Sequence, residues 1–240
     1  MSKDGRIWFS HSGIETLERC PRCFWLQYKR RIYQPEGIVS RLANRFDIVL
    51  KNYFNIFRPL GELPPMVKGK LEGKLENPFQ EKYFYRVNDK YGFLGKLDEC
   101  LINDKGEFIP IDFKTASSDP RDRETLAAYQ SQIDDYIYLI EKDGKKPAGF
   151  GYLIYFFPDE GKLLHDGFPM IIHFVKLSGD PAKTAKRISH AIEVIERTIP
   201  KPSDNCPFCS WYEVVKGEVE MTDTIKKSQK SAKYFQEKLI

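Results

Sequence analysis

Gly95-Lys-Leu-Asp98-Glu-Cys-Leu-Ile-Asn-Asp-Lys-Gly106-Glu-Phe-Ile-Pro-Ile-Asp112-Phe-Lys114-Thr115 is the stretch on which the fold turns. Two apolar runs, 93–102 and 108–113, flank the turn signal Asn103-Asp-Lys-Gly106 and predict a β-hairpin. Side chains alternate faces along a strand, so Asp112 and Lys114 point the same way, and Asp98 lies on the partner strand. Two acids and a lysine on a half-buried face are costly unless compensated. A divalent cation with hard oxygen ligands, Mg²⁺ or Mn²⁺, would compensate them. The alternative is an exposed hairpin bearing an ordinary surface ion pair.

Outward from the hairpin, 83–87, 150–157 and 170–177 also read as strands. Helices are expected over 124–141 and 181–199, and over 38–57, where Leu42, Phe46, Val49, Leu50 and Phe54 form one side. Ser12 with Glu15 resembles a capping box opening an N-terminal helix. Cys20 reads as the cap of a second helix running through Phe24 and Tyr28, because Pro21 suits a first helical turn. Residues 59–80, rich in Pro, Gly and Lys, read as a connection, and the lysine-rich 222–240 as a solvated helix or frayed tail. The order predicts a single α/β domain over 1–221, with its core at about 81–177 and its helical ends folded together.

The chain has 240 residues, enough to bury a core without staples. Hydrophobic residues make up 41% and charged residues 30%, which excludes a disordered chain. No apolar run reaches the roughly 20 residues of a membrane helix, and the opening MSKDGRIWFSHSG has no secretory h-region. The expectation is a soluble cytoplasmic protein with no membrane partner. The net charge, 38 − 34 = +4, permits nucleic-acid binding without demanding it. Aromatic and basic residues interleave over 24–31, where Trp25, Tyr28, Lys29 and Arg31 could stack bases and hold phosphates. The plainer reading is an amphipathic helix with its aromatics inward.

Five cysteines without an export signal argue against a disulfide framework. Cys100 stands alone in an apolar run. The other four form Cys20-Pro-Arg-Cys23 and Cys206-Pro-Phe-Cys209, two pairs nearly a chain length apart. Their tetrahedral reading is one metal-binding clasp. Spacing alone suits Zn²⁺.

G-x-x-D, a turn, and Ile111-Asp112-Phe113-Lys114-Thr115 resemble the PD-(D/E)XK nuclease superfamily, most closely its RecB-like branch of AddB-like and CRISPR-adaptation nucleases. The resemblance implies a restriction-endonuclease-like mixed central sheet flanked by helices. It also implies a Mg²⁺- or Mn²⁺-dependent deoxyribonuclease for single-stranded or end-containing DNA in repair, recombination or defence. Asp98, Asp112 and the Phe113 carbonyl would be metal ligands and Lys114 the catalytic lysine. Gln132 and Tyr136 match the Q-x-x-x-Y motif that holds substrate and lysine, and Gln and Tyr four apart share a helix face. Asp47 stands where the family commonly has His. Leu17-Glu-Arg-Cys20 resembles the segment that places the first iron–sulfur cysteine, which keeps a [4Fe–4S] cluster open beside Zn²⁺. No Walker loop is present, so unwinding would come from a helicase or another recombination or defence partner. The rival reading is a non-catalytic nucleic-acid-binding module with a structural metal clasp.

Overall fold

The computed structural model describes residues 5–35, 41–121, 125–159, 161, 167 and 169–217. The expected 222–240 tail and His165 lie outside the described residues. The chain divides into two compact units, one of Met1–Ile14 and Glu36–Glu193, the other of Glu15–Pro35 and Val194–Ile240.

Among the described residues, the larger unit holds eight strands in two mixed sheets. In chain order they are β1 (Ile7–Ser10), β2 (Lys74–Leu75), β3 (Lys82–Arg86), β4 (Tyr91–Lys96), β5 (Glu99–Ile102), β6 (Phe108–Thr115), β7 (Phe150–Pro158) and β8 (Met170–Ser178). One sheet runs β1-β4-β3, with β1 parallel and β3 antiparallel to β4. The other runs β2-β5-β6-β7-β8, in which only β6 and β7 are parallel.

The run 93–102 is not one strand. It divides at Leu97–Asp98, so β4 belongs to the first sheet and β5 alone pairs with β6. The cause lies in Asp98, whose Oδ2 accepts the Phe113 N–H at 3.0 Å. A side-chain carboxylate there takes the place of a strand partner. The predicted turn is present, with the Gly106 N–H donating to the Asn103 carbonyl at 2.9 Å and Gly106 at φ +72.

Helix α1 (His11–Arg19) starts two residues earlier than the capping-box reading placed it, because the Ser10 hydroxyl accepts the Gly13 N–H. Helix α2 (Pro21–Trp25) has Cys20 as its extended N-cap and Pro21 in its first turn, as expected. A wider turn, Leu26–Arg30, prolongs it to Arg31 at φ 58. Helices α3 (Arg41–Phe57), α4 (Thr125–Lys142) and α5 (Pro181–Glu196) follow, and a further helix, α6, spans 207–217. No helix among the described residues is long and apolar enough to cross a membrane.

Two helices cover opposite faces of the five-stranded sheet. Leu50 and Phe54 of α3 pack with Leu101, Ile109, Ile111, Phe113, Ile154 and Phe156. The 59–80 connection joins that core through Val67, Leu71 and Leu75. Isoleucine and phenylalanine at 109, 111 and 113 thus claim one face, and the alternate positions 112 and 114 turn to the other. That other face receives α4. Close approach there depends on Gly95, where a Cβ would lie 2.4 Å from Leu139 Cδ1.

Candidate functional site

Asp112, near the end of β6, is 2% exposed, and α4 supplies its partners. Its Oδ1 accepts hydrogen bonds from Gln132 Nε2 at 2.6 Å and Tyr136 Oη at 3.0 Å. Gln132 and Tyr136 are four residues apart on one helix face and bond each other at 2.7 Å. Lys114 Nζ lies 2.5 Å from Asp112 Oδ2 and donates to Gln132 Oε1 at 2.8 Å. The Gln132 amide therefore ties the acid and the lysine together through its two ends. Lys114 also sits 4.6 Å from the centre of the Tyr129 ring, a cation–π contact. Asp112 Oδ2 itself receives no aligned hydrogen bond among the described residues.

Burial pushes Asp112 up to about 6; the Lys114 charge pulls it down, and the like charge of Asp98 pushes it up again. Burial, with Asp112 and Asp98 beside it, drives the Tyr136 phenol well above its ordinary range. Tyr136 is thus a fixed proton donor to the carboxylate.

Asp98, at the junction of β4 and β5, bridges to a second group of charges. Its Oδ1 lies 2.7 Å from Lys51 Nζ, which also lies 2.8 Å from Asp47 Oδ1. Asp47 and Lys51 are one turn apart on α3. Burial works against the Lys51 ammonium, but Asp47 and Asp98 outweigh it and raise its pKa. Asp47 and Asp98 therefore already share one cationic atom. Asp112 does not join that pair: among the described residues, only the four cysteines bring three or more Cys, His, Asp or Glu ligand atoms together tightly enough for one ion. The Phe113 side chain lies in the α3-side core, 5.1 Å from the Phe54 ring.

The cysteines belong to the smaller unit. Cys20 and Cys23 come from the start of α2, and Cys206 and Cys209 from the start of α6. The Cys23–Cys206 and Cys23–Cys209 sulfurs are 3.6 Å apart and the Cys20–Cys209 sulfurs 3.9 Å. All four ligand atoms lie within 4.8 Å of one another, and all four thiols are free. Such a group could hold a metal ion or an iron–sulfur cluster. Burial pushes Cys23 up to about 11. It pushes Cys20 up too, but hydrogen bonds from the Cys23 and Ser203 backbone and from neighbouring thiols hold Cys20 down at about 7. Cys100 is fully buried and apart from this group.

Trp25 is a correction to the expected base-stacking face. It is 7% exposed and donates its Nε1–H to the Arg197 carbonyl. Tyr28 is half-buried, with its ring 4.8 Å from that of Phe24. Lys29 and Arg31 are exposed. The amphipathic reading holds for the aromatics of this helix.

Sequence reasoning missed Lys51 and Tyr129. Lys51 carried a readable signal, since it follows Asp47 by one helical turn. Tyr129 carried none, because its role depends on how α4 lies over β6.

No protein-family model matches the chain. Among solved structures it is similar to one described as "Crystal structure of SSO0001", at 20% identity over 81% of this chain and 78% of that one, with a TM-score of 0.44. A likeness at that level assigns neither fold nor activity.

Gln132 should be the brace of this site. Gln132→Ala leaves a buried carboxylate short of a donor, and the expected loss is about 1–3 kcal/mol of stability. Denaturant unfolding would measure it; an unchanged midpoint would mean that Gln132 braces nothing.

Proposed function

We propose that this protein is a metal-dependent nuclease of the PD-(D/E)XK type with a restriction-endonuclease-like core, cleaving DNA phosphodiesters. The observation that carries the reading is the placement of Asp112 and Lys114 on one strand face, both held by Gln132, with Asp98 beside them. A buried ion pair of this kind is weak evidence for stability. Perturbed ionisable groups of this kind are instead frequent where chemistry is done.

The donors suit a hard cation. Asp112 Oδ2 is buried without an aligned hydrogen bond, and Asp47 with Asp98 already embraces an ammonium. Asp98, Asp112 and the Phe113 carbonyl would hold Mg²⁺ or Mn²⁺, with Asp47 reaching it from α3. Such an ion supplies a polarised phosphodiester and an acidified water. The protein's own part is positioning. Gln132 and Tyr136 hold Asp112 in one orientation by donating to Oδ1, which leaves Oδ2 for the reaction side. Gln132 and the Tyr129 ring aim the Lys114 ammonium, which accompanies the attacking water and offsets negative charge developing on the phosphoryl group.

We further propose that the cysteine quartet takes a single Zn²⁺. Four thiolates at about 2.3 Å from one ion stand about 3.8 Å apart in a tetrahedron. Three of the six sulfur pairs stand 3.6–3.9 Å apart, close to that edge, and all six lie within 4.8 Å. A cubane with an iron beneath each thiolate spreads its ligands further.

Asp112→Asn should abolish Mn²⁺-dependent cleavage of DNA by folded protein, and Lys114→Ala should lower turnover on the order of 10²-fold. Cleavage that survives Asp112→Asn would refute the assignment.

Purified protein should be colourless, with one zinc per chain, and Cys206→Ser with Cys209→Ser should release that zinc and lower the melting temperature, since bound metal contributes to folding. A brown protein with a visible absorption band would instead establish an iron–sulfur cluster. Unaltered melting without any metal would remove the clasp.

A further inference from the structure

Strand pairing places Lys114, Tyr155 and His173 in one row across β6, β7 and β8. Directly paired residues project from the same sheet face, so Tyr155 and His173 share the face of Asp112 and Lys114. Neighbouring strands are about 5 Å apart, which puts the two residues about 5 and 10 Å from Lys114 along the row. A cavity of 310 Å³ opens over them, lined by Pro120, Arg121, Tyr155, His173 and Val175. That volume reaches the range of small-ligand sites, about 300–1,000 Å³.

The decisive feature is the Tyr155 hydroxyl. Tyr155 is 2% exposed, and its oxygen has no hydrogen-bond partner among the described residues. A buried hydroxyl left unmatched is a net cost to folding, so phenylalanine would serve the core better. The ring is otherwise well placed, 6.2 Å from Tyr129 and 6.4 Å from His173 between ring centres. What remains is a buried hydroxyl with a proton to give, on a residue that lines a cavity.

The rest of the wall carries two more nitrogen groups: the Arg121 guanidinium, 5.9 Å from the centre of the Phe157 ring, whose Nε and Nη2 both meet Asp119, and the His173 imidazole. One carboxylate lies close by: Asp119 accepts from the Arg121 Nε at 2.9 and 2.8 Å and from its backbone N–H at 2.9 Å. Those bonds hold the Asp119 carboxyl down at about 2, so Asp119 stays ionised and fixes the guanidinium in place.

We propose that this cavity is a subsite for a phosphodiester of the nucleic-acid strand, next to the one that reaches Asp112. Tyr155 donates to a non-bridging phosphate oxygen, with Arg121 and His173 flanking it. The proposal rests on the nuclease reading and extends it: the strand is gripped along the sheet row that starts at Lys114.

The test is Tyr155→Phe, measured by fluorescence anisotropy with a labelled single-stranded oligodeoxynucleotide in EDTA, so that no cleavage occurs, alongside thermal melting. A hydrogen bond to a charged phosphate predicts roughly ten-fold weaker binding or more. Because the hydroxyl satisfies nothing within the fold, the melting temperature should stay level or rise. Unchanged affinity would overturn the subsite alone, provided that the parent protein binds and cuts the strand. A fall in melting temperature together with affinity would make the hydroxyl structural and overturn it too. A parent protein that neither binds nor cuts would overturn the nuclease reading and the subsite with it.

Discussion

A carboxylate with almost no access to water must be held by its neighbours, and in this protein Asp112 is that carboxylate. Isoleucines and phenylalanines fill the α3-side face of β6, which turns Asp112 and Lys114 toward α4. Helix α4 must then bring donors, and Gln132 and Tyr136 arrive one turn apart. Their reach depends on close packing of α4 over β4, which the missing side chain at Gly95 permits. The Tyr136 hydroxyl also lies 3.1 Å from the Lys96 carbonyl, at the end of β4. Loss of the charged partner, Lys114, would leave an uncompensated buried charge, at a cost of about 3–5 kcal/mol. Sheet, helix and junction are thus coupled through one acid.

The parts of this arrangement that follow a simple period were legible in the sequence. Strand alternation put Asp112 beside Lys114, and helix periodicity put Gln132 beside Tyr136. The C-P-x-C echo brought out the four cysteines, which the fold gathers within 4.8 Å. Three-dimensional relations were not legible. The apolar run through 93–102 hid the break at Asp98, because its cause is a hydrogen bond to Phe113 on another strand. The strand Ile7–Ser10 was missed because it is short and earns its place only by pairing with β4. Histidines carried no sequence signal, yet His11 Nδ1 meets the buried Asp135 at 2.7 Å, and His173 stands in register with Tyr155.

Asp135 shows how differently a buried acid behaves when the fold satisfies it. Thr184 donates to its Oδ1 at 2.7 Å, Arg187 approaches both oxygens at 3.0 and 3.1 Å, and His11 completes the set. Every oxygen is matched, as expected of a structural joint between α1, α4 and α5. Asp112 Oδ2, by contrast, has the Lys114 ammonium 2.5 Å away but no aligned hydrogen bond, and the Tyr155 hydroxyl has no hydrogen-bond partner among the described residues.

The proposed nuclease reading requires the Asp98–Asp112 region to take a cation, with Lys51 as the internal counter-ion that the cation displaces. Calorimetric titration of Mn²⁺ into the parent protein and into Lys51→Met, without DNA, addresses it directly. Saturable binding by the parent protein and tighter binding by Lys51→Met are expected, because the ammonium no longer competes for Asp47 and Asp98. Absence of Mn²⁺ binding in both proteins would contradict it.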